Sequence, residues 1–395
     1  MKYIIIAGGG LVNKGAQAMT LISVCELKKI YPDHKILLLA WNTGAGERKR
    51  HEMYDLELLQ VPPLKFSGAA ANPLKKVFYS LRYGNAFTKA DEIYRNTDLL
   101  IDVSGYALGS NWSEKVCNDY LDNIEHALAY GVPVCLMPQS FGPFDFEGEA
   151  GARIDERIRK LLPKVKLICA REEEGYNALK NSYGLNNIVL TKDMVLASKI
   201  HDYTPALKGK LEYSLPDIAE NSMCVIPNVR VADSGVNNIE SLYLAAINAG
   251  LEQGLKVYIT YHSTQDMELC AKLKAEFAEN GDVILLEHDH SCIEFNELVK
   301  QFRFVAASRF HAIVHALKNG VPCVALGWAV KYIDLMDIFG QSAYMFDLRN
   351  ETAPEDIQAA VSAMNENHAA ESQKIKAALP ALQEVNVFDL TKEAL

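Results

Sequence analysis

Short apolar runs alternate along the chain with segments whose apolar residues recur at helical spacing. Residues 3–7 form an apolar run that ends in three glycines, and apolar residues then recur at i, i+3, i+4 and i+7 from Ala18 to Cys25. Pro32 ends this predicted helix, and residues 35–41 form the next apolar run. A strand, a glycine-rich turn, a helix and a second strand are typical of a parallel sheet with crossover helices.

The same alternation continues through the first half of the chain. A helix is predicted from Ser113, a good N-cap residue, to about Tyr130, because Gly131 follows as a stop signal. A second helix is predicted over 172–180, and a loop over 138–143. The predicted strands of this half are 99–103, 134–137, 167–170 and 188–190.

A polar segment near 199–221, which contains Pro205 and Pro216, interrupts the alternation and predicts a domain boundary. The pattern then resumes. The strands predicted in this half are 223–226, 256–261, 283–286, 304–307 and 322–326. The helices predicted here lie near 236–253, 264–280, 294–301 and 311–319, with a later helix from 353.

These patterns predict an α/β protein with two Rossmann-like domains whose mostly parallel sheets face a cleft, an arrangement that resembles the glycosyltransferase-B fold. The predicted boundaries are an N-terminal domain 1–200, a linker 201–222, a C-terminal domain 223–370 and a tail 371–395 that packs back on the first domain. Ligands of such sheets bind outside the carboxyl ends of the strands. We therefore expect the facing loops of the two domains to define the ligand site.

The composition narrows the class of protein. A length of 395 residues fits two domains, and the formal net charge of −10 disfavours a nucleic-acid partner. The eight cysteines include no CxxC pair, and most of them lie in apolar runs. We therefore expect reduced core thiols, with neither a disulfide framework nor a zinc site.

The sequence also predicts a location. The N-terminus lacks a long apolar segment with a cleavage site, and no apolar stretch approaches the roughly 20 residues that span a bilayer. We expect a cytoplasmic protein without a transmembrane segment. The basic amphipathic stretch 74–87 is either a solvated helix or a contact with a membrane-borne acceptor, which would place the protein at the inner face of the membrane.

Arg309 and His311 fall where a predicted strand meets a predicted helix. Amides at a helix start attract phosphate or carboxylate, and an arginine there can bind such an anion through two parallel hydrogen bonds. His311 is placed to move a proton at the bound group. The alternative is a surface arginine with a helix-capping histidine. His315, one turn later, is predicted to be a buried core histidine.

The segment Ser308-Arg309-Phe310-His311-Ala312, followed by Gly320-Val321-Pro322, resembles the Arg-Leu-His motif of polysaccharide pyruvyl transferases. Weaker similarities extend over nearly the whole chain. They lie at Asn13–Ala16, 99–106, 138–143, 170–173, 227–230 and Lys331. Phe310 replaces the family's leucine, Glu172 replaces an aspartate, and Ser104 and Tyr106 interrupt a glycine triplet, which leaves the acceptor open.

The resemblance implies transfer of pyruvate from phosphoenolpyruvate to two hydroxyls of a sugar as a cyclic ketal. His311 would be the catalytic acid. The residues that would bind phosphoenolpyruvate are Arg309, Arg230, Ala312 and Lys331, although Lys331 is equally compatible with a solvated lysine. Phosphoenolpyruvate is then a co-substrate, and no cofactor or metal ion is expected.

The resemblance further implies a saccharide or lipid-linked saccharide as the acceptor. Asp102 would orient or deprotonate its hydroxyl, although a strand-end aspartate also commonly bonds loop amides. Asn13 and Gln139 would bind the acceptor, and Arg171 is expected to pair with a nearby acid. The oligomeric state stays open, and a homo-oligomer is compatible with the sequence.

Two other functions fit part of the pattern. A nucleotide-sugar glycosyltransferase of the same fold would use the same helix start for a diphosphate, but helix 312–319 carries no acid to hold a ribose. A non-catalytic saccharide-binding protein would need neither Arg309 nor His311. The Gly8-Gly9-Gly10 triplet lacks dinucleotide spacing, and His288-Asp289-His290 is more typical of a solvated loop than of a metal site.

Overall fold

A computed structural model describes residues 1–40, 50–60, 81, 84–234 and 236–394. The chain divides into two compact units. The first unit contains Met1–Val12, Met19–Leu211 and Val385–Leu395, and the second contains Asn13–Ala18 and Glu212–Glu384. Most of the basic stretch 74–87 lies outside the described residues.

The first unit is built around a sheet of parallel strands. Its strands are β1 (Lys2–Ala7), β2 (His34–Leu39), β3 (Glu57–Leu59), β4 (Thr97–Asp102), β5 (Tyr106–Leu108), β6 (Val134–Phe141), β7 (Leu167–Ala170) and β8 (Ile188–Leu190). They are ordered β3-β2-β1-β4-β6-β7-β8, and β5 pairs with β6. The order of the strands reverses between β1 and β4, which makes this the switch point of the sheet.

Helices cover this sheet. They are α1 (Lys14–Ile30), α2 (Asn85–Arg95), α3 (Glu114–Ala129), α4 (Gly148–Leu161), α5 (Glu173–Ser182) and α6 (Met194–Ala197). Ser113 caps α3, as predicted, by accepting a hydrogen bond from the Val116 amide. Leu100 and Leu136 of the sheet pack with Leu121 and Ile158 of the helices in one buried core. The last segment, Val387–Ala394, contacts β6 and β7.

The second unit repeats this plan with six parallel strands. They are β9 (Ser222–Ile226), β10 (Lys256–Ile259), β11 (Val283–Leu285), β12 (Phe304–Ala307), β13 (Cys323–Gly327) and β14 (Met345–Asp347). Their order is β11-β10-β9-β12-β13-β14, so the switch point lies between β9 and β12. Both of these strands are buried throughout, as expected of parallel strands covered on two faces.

Helices of the second unit follow its strands in regular alternation. They are α7 (Ile239–Glu252), α8 (Met267–Ala275), α9 (Cys292–Val299), α10 (Phe310–Lys318), α11 (Val330–Ile338) and α12 (Pro354–Leu382). The long α12 packs against α7. The prediction of two α/β domains with parallel sheets is confirmed.

Some predicted elements differ from the structure. The expected loop 138–143 is largely strand, because β6 continues through Pro138 to Phe141. The pairing of β6 with β7 shifts register between Leu136 and Gln139, and such an irregularity accommodates a proline that cannot donate a ladder hydrogen bond. The short strands β3, β5 and β14 and the helices α2, α4, α6 and α11 were not predicted.

All eight cysteines are buried free thiols, as predicted. In the described part of the chain, no helix combines the length and the apolar character that crossing a membrane requires.

Candidate active site

The predicted donor residues gather where the second sheet reverses its strand order. Arg230 follows β9, and Arg309 follows β12, the two strands that flank the switch point. The carboxyl ends of parallel strands meet at one edge, and a switch point opens a crevice there because its two neighbouring connections run to opposite faces. The topology therefore places both arginines beside the same crevice.

Buried hydrogen bonds hold the two loops together. The Asn228 side-chain amide donates to the Ser308 carbonyl at 3.1 Å, and the Tyr332 hydroxyl donates to the same carbonyl at 2.9 Å. The Tyr243 hydroxyl lies 2.5 Å from Ser308 Oγ and accepts a hydrogen bond from the backbone amide of Asn228 at 3.0 Å. These buried hydrogen bonds fix the position of Ser308, and they therefore also fix the backbone from which the Arg309 side chain extends.

Asp266 fixes the Arg309 guanidinium. Arg309 Nε donates to Asp266 Oδ2 and Arg309 Nη2 donates to Oδ1, both at 2.6 Å. The Asp266 carboxylate is fully buried and also accepts from the Val229 amide at 3.1 Å. The bidentate pair offsets part of the arginine charge, but it also sets the direction of the guanidinium, and Nη1 takes no part in it.

His311 lies in the first turn of α10 and packs against the start of α1. A Cβ added to Gly15 would lie 2.4 Å from His311 Nδ1 and 2.8 Å from His311 Cβ. Position 15 therefore requires glycine because the imidazole approaches its backbone. This contact explains why Asn13–Ala18 belongs to the second unit although the rest of α1 belongs to the first.

The same segment brings a buried lysine to the site. Lys14 is 1% exposed, and its Nζ lies 3.2 Å from Asp289 Oδ1 and 4.8 Å from the centre of the Tyr261 ring. Gln17 accepts a hydrogen bond from the Cys292 amide at 2.6 Å, which anchors the segment further. A lysine is rarely buried without a specific reason.

The pKa of His262 depends on the basic side chains of this region. Burial lowers the pKa of His262 well below its usual value, and the nearby basic groups of His315, Lys14, His311 and Arg309 lower it further. Four basic side chains therefore act on one fully enclosed imidazole. Such a convergence of positive charge favours an anionic ligand.

The other predicted donor residues are placed less centrally. The Arg230 side chain is exposed, and its amide donates to Asn228 Oδ1 at 3.0 Å. Lys331 Nζ lies 5.1 Å from the centre of the Phe310 ring and 5.3 Å from that of Trp328. The Ala312 amide already donates to the Arg309 carbonyl at 2.9 Å, so an anion would have to share that proton.

Two further predictions concern buried residues without a direct role in binding or catalysis. His315 is buried, as predicted, and its Nδ1 lies 3.3 Å from Asn296 Oδ1. Arg171 is also a buried ion-pair residue, as predicted. It pairs with Glu172 at 2.6 Å and with Asp193 at 3.0 Å.

The predicted acceptor residues have structural contacts of their own. Asn13 Oδ1 accepts from the amides of Gly15 at 3.0 Å and Ala16 at 3.4 Å, so this exposed side chain caps α1. Gln139 is fully buried in the first unit, and its Nε2 donates to the Met137 carbonyl at 3.1 Å. Their roles toward an acceptor stay predictions.

Asp102 lies at the switch point of the first sheet, where it pairs with Ala7 of β1. It is 1% exposed, and its Oδ1 accepts from the Ser104 amide at 2.9 Å. Its Oδ2, the Tyr120 hydroxyl and Gln139 Oε1 are buried without a hydrogen-bond partner among the described residues. Burial raises the pKa of Asp102, and hydrogen bonds from Ser104 and Gln139 oppose this only in part.

No role was predicted from the sequence for Lys14, Asp266 or His262. Lys14 belongs to the motif Asn13–Ala16, which resembles a turn of the family, and a turn does not indicate that a lysine is buried. Asp266 precedes α8 and has the pattern of an ordinary helix-start acid. Its pairing with Arg309 joins loops that follow different strands, and the periodicity of the sequence does not predict contacts between such loops.

A metal ion could be held, within the described part of the chain, by His288, His290 and Glu294, whose ligand atoms all lie within 4.8 Å of one another. His290 is buried, contrary to the solvated loop that its sequence pattern suggested.

Several solved structures share this fold at low sequence identity. A putative UDP-N-acetylglucosamine 2-epimerase from Listeria monocytogenes has a TM-score of 0.59 and 11% identity, with 100% of this chain and 95% of that chain covered. A TarM mutant from S. aureus, in complex with UDP among other ligands, has a TM-score of 0.57 and 9% identity, covering 100% and 99%. The glycosyltransferase of kitacinnamycin has a TM-score of 0.56 and 11% identity, also covering 100% and 99%.

At these identities the likeness concerns the fold alone, and it agrees with the predicted relation to glycosyltransferases of the B type. No curated protein is significantly similar to this chain in sequence. The family profile described as polysaccharide pyruvyl transferase matches residues 13–329, which include Lys14, Arg309 and His311. Because this match spans most of the 395 residues, the chain belongs to the polysaccharide pyruvyl transferase family.

Proposed function

We propose that the chain transfers pyruvate from phosphoenolpyruvate to two hydroxyls of a saccharide and forms a cyclic ketal. The observation that carries the proposal is the convergence of Lys14, Arg309 and His311 on the buried His262 in a chain of this family. Phosphoenolpyruvate combines a phosphate and a carboxylate in a compact anion, and a cluster of fixed cations suits such a ligand.

Donor binding in this proposal uses charge that is already oriented. Arg309, held by Asp266, presents Nη1 to one anionic group, while Lys14 and the first turn of α10 favour the other. Arg230 is exposed and can turn toward the ligand, and Lys331 supplies a further cation. Preorganised groups bind an anion with less loss of side-chain entropy than mobile ones.

The proposed chemistry begins with a proton. His311, as the imidazolium, donates it to the methylene carbon of phosphoenolpyruvate, and positive charge develops at carbon 2. A sugar hydroxyl adds to carbon 2 and its proton restores the imidazolium. The bond between carbon 2 and the phosphate oxygen then breaks, and the second hydroxyl closes the ring while its proton leaves with the phosphate. The step thus balances, with one hydroxyl proton in the new methyl group and the other on phosphate.

The acceptor side remains assigned to Asp102, Gln139 and Asn13 in this proposal. Asp102 and Gln139 carry polar atoms that have no partner among the described residues, and a hydroxyl can satisfy such atoms. Asn13 acts through the helix that it caps, next to Lys14. The scheme contains no metal ion or cofactor, so we expect turnover to continue in EDTA at temperatures where the protein stays folded.

The decisive experiment is a comparison of donors. Phosphoenolpyruvate should raise the melting temperature and give a calorimetric binding isotherm, because a ligand of the native state stabilises it. UDP- and GDP-sugars should do neither. A saccharide panel with phosphoenolpyruvate should then release phosphate and yield a ketal that mass spectrometry detects. Binding of a nucleotide sugar without phosphoenolpyruvate binding would instead support the glycosyltransferase.

A further inference from the structure

Two histidines and a glutamate come together around the loop between β11 and α9. His288 and His290 lie in the loop, and Glu294 lies in the first turn of α9. One ligand atom from each of the three lies within 4.8 Å of the others. His288 Nε2 and Glu294 Oε1 are 3.5 Å apart, and the ring centres of the two histidines are 4.7 Å apart. Small side-chain rotations would bring the three atoms to the spacing of ligands around one ion.

The second observation is the state of His290. Its side chain is 2% exposed, yet neither Nδ1 nor Nε2 has a hydrogen-bond partner among the described residues. A buried polar group left unsatisfied costs about 1–3 kcal/mol, so an imidazole with two such atoms requires an explanation. A metal ion bound to one of these nitrogens would supply that explanation.

Glu294 is held in place by the start of α9. Its Oε2 accepts from the Ser291 amide at 2.6 Å, and the Ser291 hydroxyl accepts from the Glu294 amide at 3.2 Å. This capping box directs Oε1 toward His288. The carboxylate is therefore oriented by the hydrogen bond from the Ser291 amide, as ligating carboxylates in metal sites commonly are.

We propose that His288, His290 and Glu294 bind one divalent transition-metal ion, with zinc as the best match. Two imidazole nitrogens and one carboxylate oxygen are ligands that zinc accepts, and magnesium or calcium would require more oxygens. Solvent can fill the fourth position, since the His288 side chain is 66% exposed. The nearby positive charge of Lys14 is offset by Asp289, which lies between the two histidines in sequence.

The ion takes no part in the proposed chemistry. It holds the loop that carries Asp289, and Asp289 in turn pairs with Lys14. Metal binding at this site therefore stabilises the second unit and the position of Lys14.

Zinc binding can be measured directly on the full chain. Protein stripped with EDTA and exchanged into chelator-free buffer should bind about one zinc ion per chain by calorimetry and show a higher melting temperature with zinc chloride. Magnesium chloride should change neither quantity. The thiols should not compete for zinc, because all eight cysteines are buried.

Two variants test the ligands without a large folding risk. His288→Ala removes an exposed imidazole, and Glu294→Gln removes a carboxylate while keeping the capping box, which accepts glutamine as well. Each should weaken zinc binding at least about tenfold. His201→Ala, which removes an exposed histidine of the first unit, is the matched control and should bind zinc as the unmodified protein does.

Unchanged zinc affinity in both ligand variants, or less than half an ion per chain in the unmodified protein, would overturn the proposal. An equal loss of affinity in the His201→Ala control would also overturn it. None of these readouts depends on pyruvyl transfer, so the metal proposal and the proposed function can fail separately.

Discussion

Each of the two units has a buried aspartate near the switch point of its parallel sheet, but the two carboxyl groups have different partners. Asp102 ends β4 beside β1 in the first unit, and its Oδ1 accepts a hydrogen bond from the Ser104 amide. Asp266 follows β10 in the second unit and receives two hydrogen bonds from Arg309 and one from the Val229 amide. Both carboxyl groups are almost fully buried.

The difference lies in the partners. Burial without a cation raises the pKa of Asp102 and favours its neutral form. Asp266 is compensated by a bidentate arginine, which is the arrangement that lets a buried carboxylate keep its charge. Similar sheet topology therefore leaves one buried carboxyl group without a cation, with a raised pKa, and pairs the other with an arginine. The proposed function assigns the donor to the region of the paired carboxylate and the acceptor to the region of Asp102.

The largest effect is expected at His311. His311→Ala should lower the turnover of phosphoenolpyruvate by about 10²–10⁴, the usual contribution of a positioned general acid. Donor affinity should stay largely intact, because the anion contacts come from arginine, lysine and backbone groups. Phosphate release and calorimetric binding of phosphoenolpyruvate measure the two quantities.

The matched control is the neighbouring histidine of the same helix. His315→Ala should reduce the melting temperature, because His315 is buried beside Asn296, and leave the turnover of the folded protein nearly unchanged. Near-normal turnover in His311→Ala would require another acid and remove His311 from the mechanism.

Arg309 should affect binding before turnover. Arg309→Ala should weaken phosphoenolpyruvate binding by about a hundredfold, because charge-assisted hydrogen bonds contribute about 1.5–3 kcal/mol each. It also leaves Asp266 buried without its cation, which can destabilise the fold. Arg309→Lys keeps a charge beside Asp266 but loses the planar fork, so it should fold and still bind the donor about tenfold more weakly.

Arg303 provides the control for charge alone. It is a partly exposed arginine of the same unit whose Nε donates to the Glu220 carbonyl at 3.2 Å. Arg303→Ala should leave donor affinity within about twofold of the unmodified protein. If it weakened the donor as much as Arg309→Lys does, net charge and not the clamp would govern binding.

Gly15 tests whether the start of α1 belongs to the charged region. Alanine favours a helix over glycine by about 1 kcal/mol, so propensity alone predicts a stabilised protein. The contact with His311 predicts the reverse, since Gly15→Ala must displace the imidazole and should reduce turnover about ten- to a hundredfold. Gly281→Ala, at a glycine with open space around it, should change neither stability nor turnover much. Equal turnover in both variants would contradict the contact.

The strand-to-helix junction at Arg309 could be predicted from sequence because its signals are local. The apolar run of β12, the helical spacing of α10 and Gly320 all lie within a few residues. The β6 strand was harder, because Pro138 has the appearance of a strand end and only the register shift with β7 accommodates it. The three-residue strand β14 is too short to show a period.

The charged partners of the site could not be predicted in this way. Arg309 and Asp266 are 43 positions apart, and Lys14 and Asp289 are 275 apart. Periodicity and capping signals reach across one element, whereas these pairs depend on which loops the sheet order brings together. Lys14 is the clearest case, since a polar turn residue in the sequence becomes one of the most buried side chains of the fold.

Asp102→Asn probes the first unit's side of the comparison. Asparagine keeps the shape and an oxygen for the Ser104 amide, so the fold and the binding of phosphoenolpyruvate should be preserved. Acceptor-dependent turnover should fall by about tenfold or more if the carboxyl group orients the acceptor hydroxyl. Steady-state kinetics with varied acceptor measure this, and turnover equal to that of the unmodified protein would assign Asp102 a purely structural role.

The smallest effect concerns the pH dependence of stability. The pKa of His262 is lowered by burial and by the nearby basic groups of His315, Lys14, His311 and Arg309. Below the usual pKa of about 6.5, the unfolded chain binds a proton at this histidine and the folded chain does not. The contribution of His262 to the free energy of unfolding is therefore complete above that pH and is lost as the pH falls.

Urea unfolding at pH 7.5, 6.5 and 5.5 should therefore show a declining free energy of unfolding, to which each such histidine contributes at most about 1.4 kcal/mol per pH unit. His290, whose pKa is lowered to about 4, acts in the same direction and is present in every protein compared. His262→Gln removes one titrating group, so its free energy should decline less steeply. His201→Gln, at an exposed position, should keep the original slope. If His262→Gln also kept it, the imidazole of His262 would not be the group that senses the cationic region.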